Sequence, residues 1–407
     1  MDLISVYGAV AVVMTLVLLY RVKKITGNLV FNPLSMSIMT FTVSFMTVIT
    51  VYSSGDIPIS GFYVILMFFS IFFVSIFFLQ SLIRKTYFIN ERNSRIRKID
   101  EQFLYVLFAV SLMVSLLYVY LLWSSYNSGD ERLLLNKQYR ALSLFKILLD
   151  FWVVVLASII YAQSKQKYTQ IILLLTIVFA FFSGAKGAAL GMFLWVLMFY
   201  FIFNRINVKK LLLVCILFVV TLFIPTWWMY GPGFIEKISY RISMSGDLYL
   251  LAFVLGDYSQ LQGFYDPIRY LLHPFTSLIG IRGYGYPLGA ELIGTAGHVV
   301  TGTGPNPHLP LLALTFWPDC FFCVVLFAFS TVFVFILTVY LAFRSYNHFR
   351  LPLFFRVFLF SMLLSAAFDL FVDIGAYEFK IILCLLGFAI YLLFTFLKQL
   401  SQLKTHV

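Results

Sequence analysis

The chain has 407 residues, of which 62% are hydrophobic and 11% charged, against about 25% charged in soluble domains. That balance excludes a soluble enzyme, a nucleic-acid-binding module, a disordered chain and a disulfide scaffold, and leaves an all-α, polytopic membrane protein. The net charge of +12 is no sign of a nucleic-acid partner, because its distribution follows membrane topology.

A bilayer core about 30 Å thick takes roughly 20 apolar residues per helix. Lipid cannot satisfy backbone N–H and C=O groups, so long apolar runs must be helical. Eleven runs qualify, at about residues 3–20, 33–52, 60–82, 102–123, 143–161, 169–183, 187–204, 211–226, 311–341, 353–372 and 380–397. The first lacks the charged flank and small-residue cleavage site of a signal peptide and is expected to stay as a span. The ninth is long, and Pro310 and Pro318 predict an irregular turn at its start. Three regions follow: residues 1–226 with spans one to eight, a large loop at 227–310, and residues 311–407 with spans nine to eleven and a tail.

Lys and Arg concentrate in cytoplasmic loops. Residues 21–32, 83–101, 162–168, 205–210, 342–352 and the tail together carry 18 of the 29 basic residues. Their alternation puts the N-terminus outside, the C-terminus inside, and the 227–310 loop on the periplasmic or extracellular face. Four cysteines are scattered, with Cys320 and Cys323 in an apolar helix. Packing is the expected role there, with no disulfide framework and no zinc site.

The outer loop is far longer than the connections of a compact bundle. Its apolar stretches at 247–255 and 268–272 predict short amphipathic or re-entrant helices lying on the bundle. Residues 280–304 hold eight of the 23 glycines, which let a ligand approach the backbone closely. Several outward cations escape the topological explanation: Lys186, Arg241, Arg269 and Arg282 among them. A guanidinium binds phosphate bidentately, so these are candidates for gripping a lipid-linked pyrophosphate. Arg269 has Asp266 beside it, so a local salt bridge is the plain alternative there. Arg241 and Arg282 have no acid within four residues.

Lys186 lies in the small-residue turn Ser183-Gly184-Ala185-Lys186-Gly187, where a helix N-terminus plus a cation makes an anion site; a snorkelling hairpin lysine is the alternative. His308 leads into span nine through Gly304-Pro305-Asn306-Pro307-His308-Leu309-Pro310. An imidazole there is a candidate general base. Glu291 is the second choice, followed by Asp257, Asp266 and Asp319. Asp369 and Asp373 share a helix face near the outer end of span ten, where they are either functional acids or counter-charges to Lys186 or a loop arginine. Lys146 and Asp150, at i,i+4, are expected to pair with each other. No P-loop, dinucleotide fingerprint or H-E-x-x-H is present. No cytoplasmic loop is large enough for a nucleotide-sugar domain, so an activated donor has to arrive on lipid. No metal and no cofactor is expected, and cationic side chains have to stabilise the leaving pyrophosphate.

With its eleven or so spans, single large outer loop and basic small-residue turn, the chain resembles the bacterial O-antigen polymerases (Wzy), in the O-antigen polymerase/ligase superfamily. The resemblance covers the whole chain by architecture and a few short segments by motif. Ser183-Gly184-Ala185-Lys186-Gly187 is similar to the family's S-G-S-R-G turn, with Lys186 in place of Arg. Arg269 and Gly280 fit an R-x10-G spacing of the outer loops. His308-Leu309-Pro310-Leu311-Leu312 is similar to the H-x-x-x-L start of the ligases' post-loop helix, with Asp319 where those carry Gly. The resemblance implies a multispan glycosyltransferase of class C type in the bacterial inner membrane, active on its periplasmic face. It implies polymerisation of oligosaccharide repeat units on undecaprenyl pyrophosphate by metal-independent, inverting glycosyl transfer, as in lipopolysaccharide biosynthesis. Arg241, Arg282, Arg269 and Lys186 would hold the pyrophosphates, and His308 or Glu291 would take the acceptor proton. Partners would be the lipid-linked glycans, membrane lipids and a chain-length-regulating co-polymerase. An O-antigen ligase and a lipid-linked oligosaccharide flippase are the alternatives.

Overall fold

The computed structural model describes residues 3–26, 59–83, 98–126, 139–164, 167–182, 309–317, 319–347, 353–370 and 374–404, with scattered positions at 35–49, 192–233, 267–272 and 351. Among the described residues no strand occurs. The continuous helices are α1 (Leu3–Thr26), α2 (Ile59–Ile83), α3 (Lys98–Tyr126), α4 (Arg140–Ser164), α5 (Lys167–Phe182), α6 (Leu309–Phe316), α7 (Phe321–Asn347), α8 (Leu353–Asp369) and α9 (Ile374–Lys404). Each falls on an apolar run predicted from the sequence. In the second run, Ser35, Ile38, Met39, Thr42, Phe45, Met46 and Ile49 are helical, and that spacing follows a single helix face. Of the runs at 187–204 and 211–226, Met192, Val196 and Ile216 are described and helical.

Among the described residues, three helices are long and apolar enough to cross a membrane, over Val6–Lys24, Glu101–Leu121 and Phe321–Asn347. Their outward faces are apolar: Val13, Leu16 and Tyr20 on α1, Met113 and Tyr120 on α3, and Phe333 on α7 are all more than half exposed. In water such faces would be large aggregation-prone patches, whereas in lipid they meet their own kind of solvent.

The inward faces build two cores. The larger joins α1, α2, α6, α7 and α8 around Phe68, Phe72, Phe335, Phe343 and Phe360, with α9 packed on α8. The smaller joins α3, α4 and α5 around Val153, Val154, Ala157 and Ile160. Helix α4 connects them: Val155 and Ile159 belong to the larger core, and Trp152 stacks on Phe358 of α8 at 4.7 Å. The α8–α9 contact is close because Gly387 lies against the Phe358 ring.

The long ninth run is broken, as Pro310 and Pro318 predict. Helix α6 is eight residues long, about 12 Å, too short to cross a bilayer. Pro310 sits in its first turn, where a missing N–H costs nothing. The described side chains of α6 are all buried, wedged against α2 and α7. The turn that follows satisfies its own donors: Trp317 N–H donates to the Ala313 carbonyl (3.0 Å), and Val324 N–H to that of Cys320 (3.2 Å).

At the end of that turn Cys320 and Cys323 form a disulfide. This corrects the expectation of packing alone. The two cysteines stand one helical turn apart at the start of α7, where the chain is still leaving the corner and both sulfurs can meet. Cys384, on α9, is a free, buried thiol.

Candidate functional site

All six site residues predicted from sequence, Lys186, Arg241, Arg269, Arg282, Glu291 and His308, lie outside the described residues. The chain neighbours of two of them, Arg269 and His308, are described. Leu309, next to His308, is fully buried at the head of α6. Tyr270 and Leu271, next to Arg269, are helical and pack against the same core. The Tyr270 ring meets Phe316, at the foot of α6, edge-on at 5.4 Å. Leu309 and Phe316 are seven residues apart, about 10 Å along the helix. The segments that carry Arg269 and His308 are thus anchored on one buried helix. The apolar signal at 268–272 found that docking segment, with Ile268 and Leu272 on its exposed side.

Two charged clusters stand out among the described residues. The first confirms the i,i+4 expectation. Lys146 and Asp150 of α4 form an ion pair that is nearly inaccessible, with side chains 3% and 1% exposed. Asp150 Oδ1 also accepts hydrogen bonds from Ser111 (2.6 Å) and Ser115 (3.5 Å) of α3. Ser111 is the middle residue of the span Glu101–Leu121, so this acid is paired and solvated by protein at the depth where lipid is driest.

The second cluster joins α8 and α9: Lys380 of α9 donates to both Asp369 and Ser365 of α8, and Lys186 and the loop arginines, the expected counter-charges, lie outside the described residues. Asp373 lies outside the described residues. Asp369 is the last residue of α8, where the helix dipole disfavours an anion, and Lys380 reaches back across the corner to offset that. Nothing local signals this pair, because its members are eleven residues apart across a turn.

Arg356 of α8 donates to the Tyr346 carbonyl of α7 at 3.2 Å, which ties the start of α8 to the end of α7. Asp369 is thirteen residues further along α8, about 20 Å, which brings it level with the middle of the 27-residue α7. A hydrogen bond of 3.1 Å between Thr338 of α7 and Tyr377 of α9 holds the corner at that height. Arg356 itself, 7% exposed and over the Tyr346 ring, was not singled out by sequence, since its position in an apolar run reads as a boundary charge.

Among the described residues no three His, Cys, Asp or Glu side chains gather as metal ligands. Comparison with family models, with curated proteins and with solved structures returns no match.

Proposed function

We propose that the chain is an eleven-span polymerase that joins lipid-pyrophosphate-linked oligosaccharide repeat units on the outer face of a bacterial inner membrane. The observation that carries this reading is the anchoring of the Tyr270 segment and of Leu309 on buried α6, which ties the neighbours of Arg269 and of His308 to one rigid support. Catalytic groups held by loops on a packed scaffold keep their geometry. In this reading Arg241, Arg282, Arg269 and Lys186 grip the two pyrophosphates and stabilise the departing one. His308, or Glu291 in its place, takes the proton from the acceptor hydroxyl as it attacks the anomeric carbon opposite the leaving group. The test is incubation of the purified protein with defined lipid-linked repeat units. A ladder of longer glycans is expected, reduced about 10²–10³-fold in rate by Arg241→Ala or Arg282→Ala and abolished by His308→Ala with Glu291→Gln. Absence of a ladder from active, folded protein overturns the proposal.

A second reading has an observation of its own. Ion pairs at mid-span mark substrate and ion pathways in transporters, and two are present here. Flipping of a labelled lipid-linked glycan in proteoliposomes, without chain growth, decides for that reading.

A further inference from the structure

The Cys320–Cys323 disulfide is a C-x-x-C pair at the head of α7. Three features set it apart from a structural staple. It closes a very short loop, with a sequence separation of 3, and a cross-link restrains the unfolded chain less the shorter its loop. The corner is also held without it. Trp317 N–H donates to the Ala313 carbonyl and Val324 N–H to that of Cys320, and the Trp317 ring packs against Phe316 (5.5 Å) and Phe327 (5.3 Å). Lastly, both cysteines are half-buried rather than sealed.

The backbone around the sulfurs suits exchange. Cys320 directly precedes Phe321, the first residue of α7, and so stands in the N-cap position. The Cys323 N–H donates to Cys320 Sγ at 3.3 Å, as the third helical residue does to a capping side chain. A sulfur placed there is favoured as a thiolate by that N–H and by the helix dipole. The site also reaches the edge of the hydrocarbon. Helix α7 has 27 residues, about 40 Å, against a bilayer core of about 30 Å. Asp319, next to Cys320, is exposed, and a carboxylate at that end belongs in water or among head groups.

We propose that Cys320 and Cys323 form a thiol–disulfide exchange site, oxidised at rest and reversibly reduced by donor thiols. A first donor thiolate attacks Cys323 Sγ and forms a mixed disulfide. The Cys320–Cys323 bond breaks, and Cys320 leaves as the thiolate that the Cys323 N–H holds. A second donor thiolate, from the same molecule or another, attacks the donor sulfur of the mixed disulfide and expels Cys323 as a thiolate. The two donor thiols end as one disulfide, having given up two electrons and two protons. Cys323 takes one proton, and the other goes to Cys320 or to water. Neither glycan chemistry nor the face of the membrane enters this step, so the site stands apart from the polymerase reading.

The test uses the whole chain in detergent micelles. The protein is equilibrated in glutathione buffers of graded ratio, starting from its oxidised and from its reduced form, and quenched with N-ethylmaleimide. Peptide mass spectrometry then reads the segment that holds Cys320 and Cys323. The reduced fraction should rise smoothly with the share of reduced glutathione and reach the same value from both directions. A bond that stays oxidised at every ratio and yields only in denaturant is a structural staple and overturns the proposal. Unfolding of the protein on reduction overturns it as well. Single substitutions test the leaving group. Cys323→Ser keeps the backbone N–H that faces Cys320, and Cys320→Ser leaves Cys323 within the first turn. Cys320 in the former should react with iodoacetamide at neutral pH at least about threefold faster than Cys323 in the latter, because an about tenfold larger thiolate fraction is offset only about threefold by lower nucleophilicity. Equal rates, or a faster Cys323, remove Cys320 as the leaving thiolate and overturn the step. Should a variant not fold, the glutathione titration of the unsubstituted chain decides alone.

Discussion

The buried Lys146–Asp150 pair makes a sharp stability prediction. Replacing Lys146 with Met removes the one cation bonded to Asp150 among the described residues, and the Asp150 side chain is 1% exposed. The carboxylate keeps a hydrogen bond of 2.6 Å from Ser111 and a marginal one of 3.5 Å from Ser115. Those hydroxyls cannot supply the missing charge, so the loss should be about 3–5 kcal/mol. Asp150→Leu alone leaves Lys146 buried and unpaired, at a similar cost. The pair Lys146→Met with Asp150→Leu removes both charges and fills the site with apolar volume, and should lie within about 1 kcal/mol of the parent. Reversible denaturation in mixed micelles, read as a double-mutant cycle, gives the coupling directly. Single losses under about 1 kcal/mol, or a double variant worse than either single, refute the idea that Asp150 is charged and held by Lys146 in the native state.

Three further outcomes follow from the packing. A Cβ on Gly387 would stand 2.5 Å from Phe358 Cε1, and Phe358 is itself fixed by Trp152; Gly387→Ala should therefore destabilise by about 1–3 kcal/mol, visible as a lower unfolding midpoint. Ser111→Ala should cost about 1.5–3 kcal/mol as a lost charge-assisted bond, and Ser115→Ala clearly less, because its contact is long; equal losses in the same denaturation assay would contradict that ranking. The disulfide at the head of α7 should keep Cys320 and Cys323 from alkylation in intact cells until an impermeant phosphine is added, after which both should label. Labelling without reductant, or only after the membrane is breached, places the α6–α7 corner on the reducing side and overturns the outward orientation.

The sequence exposed what depends on one helix at a time. Among the described residues, apolar runs of span length are helical because backbone satisfaction leaves no other choice in lipid. Lys146 and Asp150 paired because residues four apart share a face. Pro310 and Pro318 bracketed α6 because a proline tolerates a first turn and ends a last one. What stayed hidden depends on how far one helix rises beside another. Asp369 reads from the sequence as an acid near the outer end of span ten, and its level beside α7 follows only from the Arg356–Tyr346 and Thr338–Tyr377 contacts. The disulfide escaped because C-x-x-C inside an apolar run reads as packing, and the helix start that lets the sulfurs meet is set by the turn before it. The candidate cations and His308 are legible as residue types on one predicted face, and all of them lie outside the described residues.

The short helix α6 and the low α8–α9 corner bear on the same point. Both put non-spanning backbone alongside α7, where lipid would leave N–H and C=O groups unsatisfied. At the α6–α7 turn the donors find carbonyls within the turn and the helix is buried all round by α2, α7 and the loop segment at Tyr270. At the α8–α9 corner Leu370 N–H closes onto the Ala366 carbonyl at 3.0 Å, while the charged side chains beside it remain partly open. Irregular backbone at membrane depth is stable only against protein or against a water-filled cavity. The first site has protein on its described sides, and at the second Lys380 and Ser365 gather with Asp369 beside the turn.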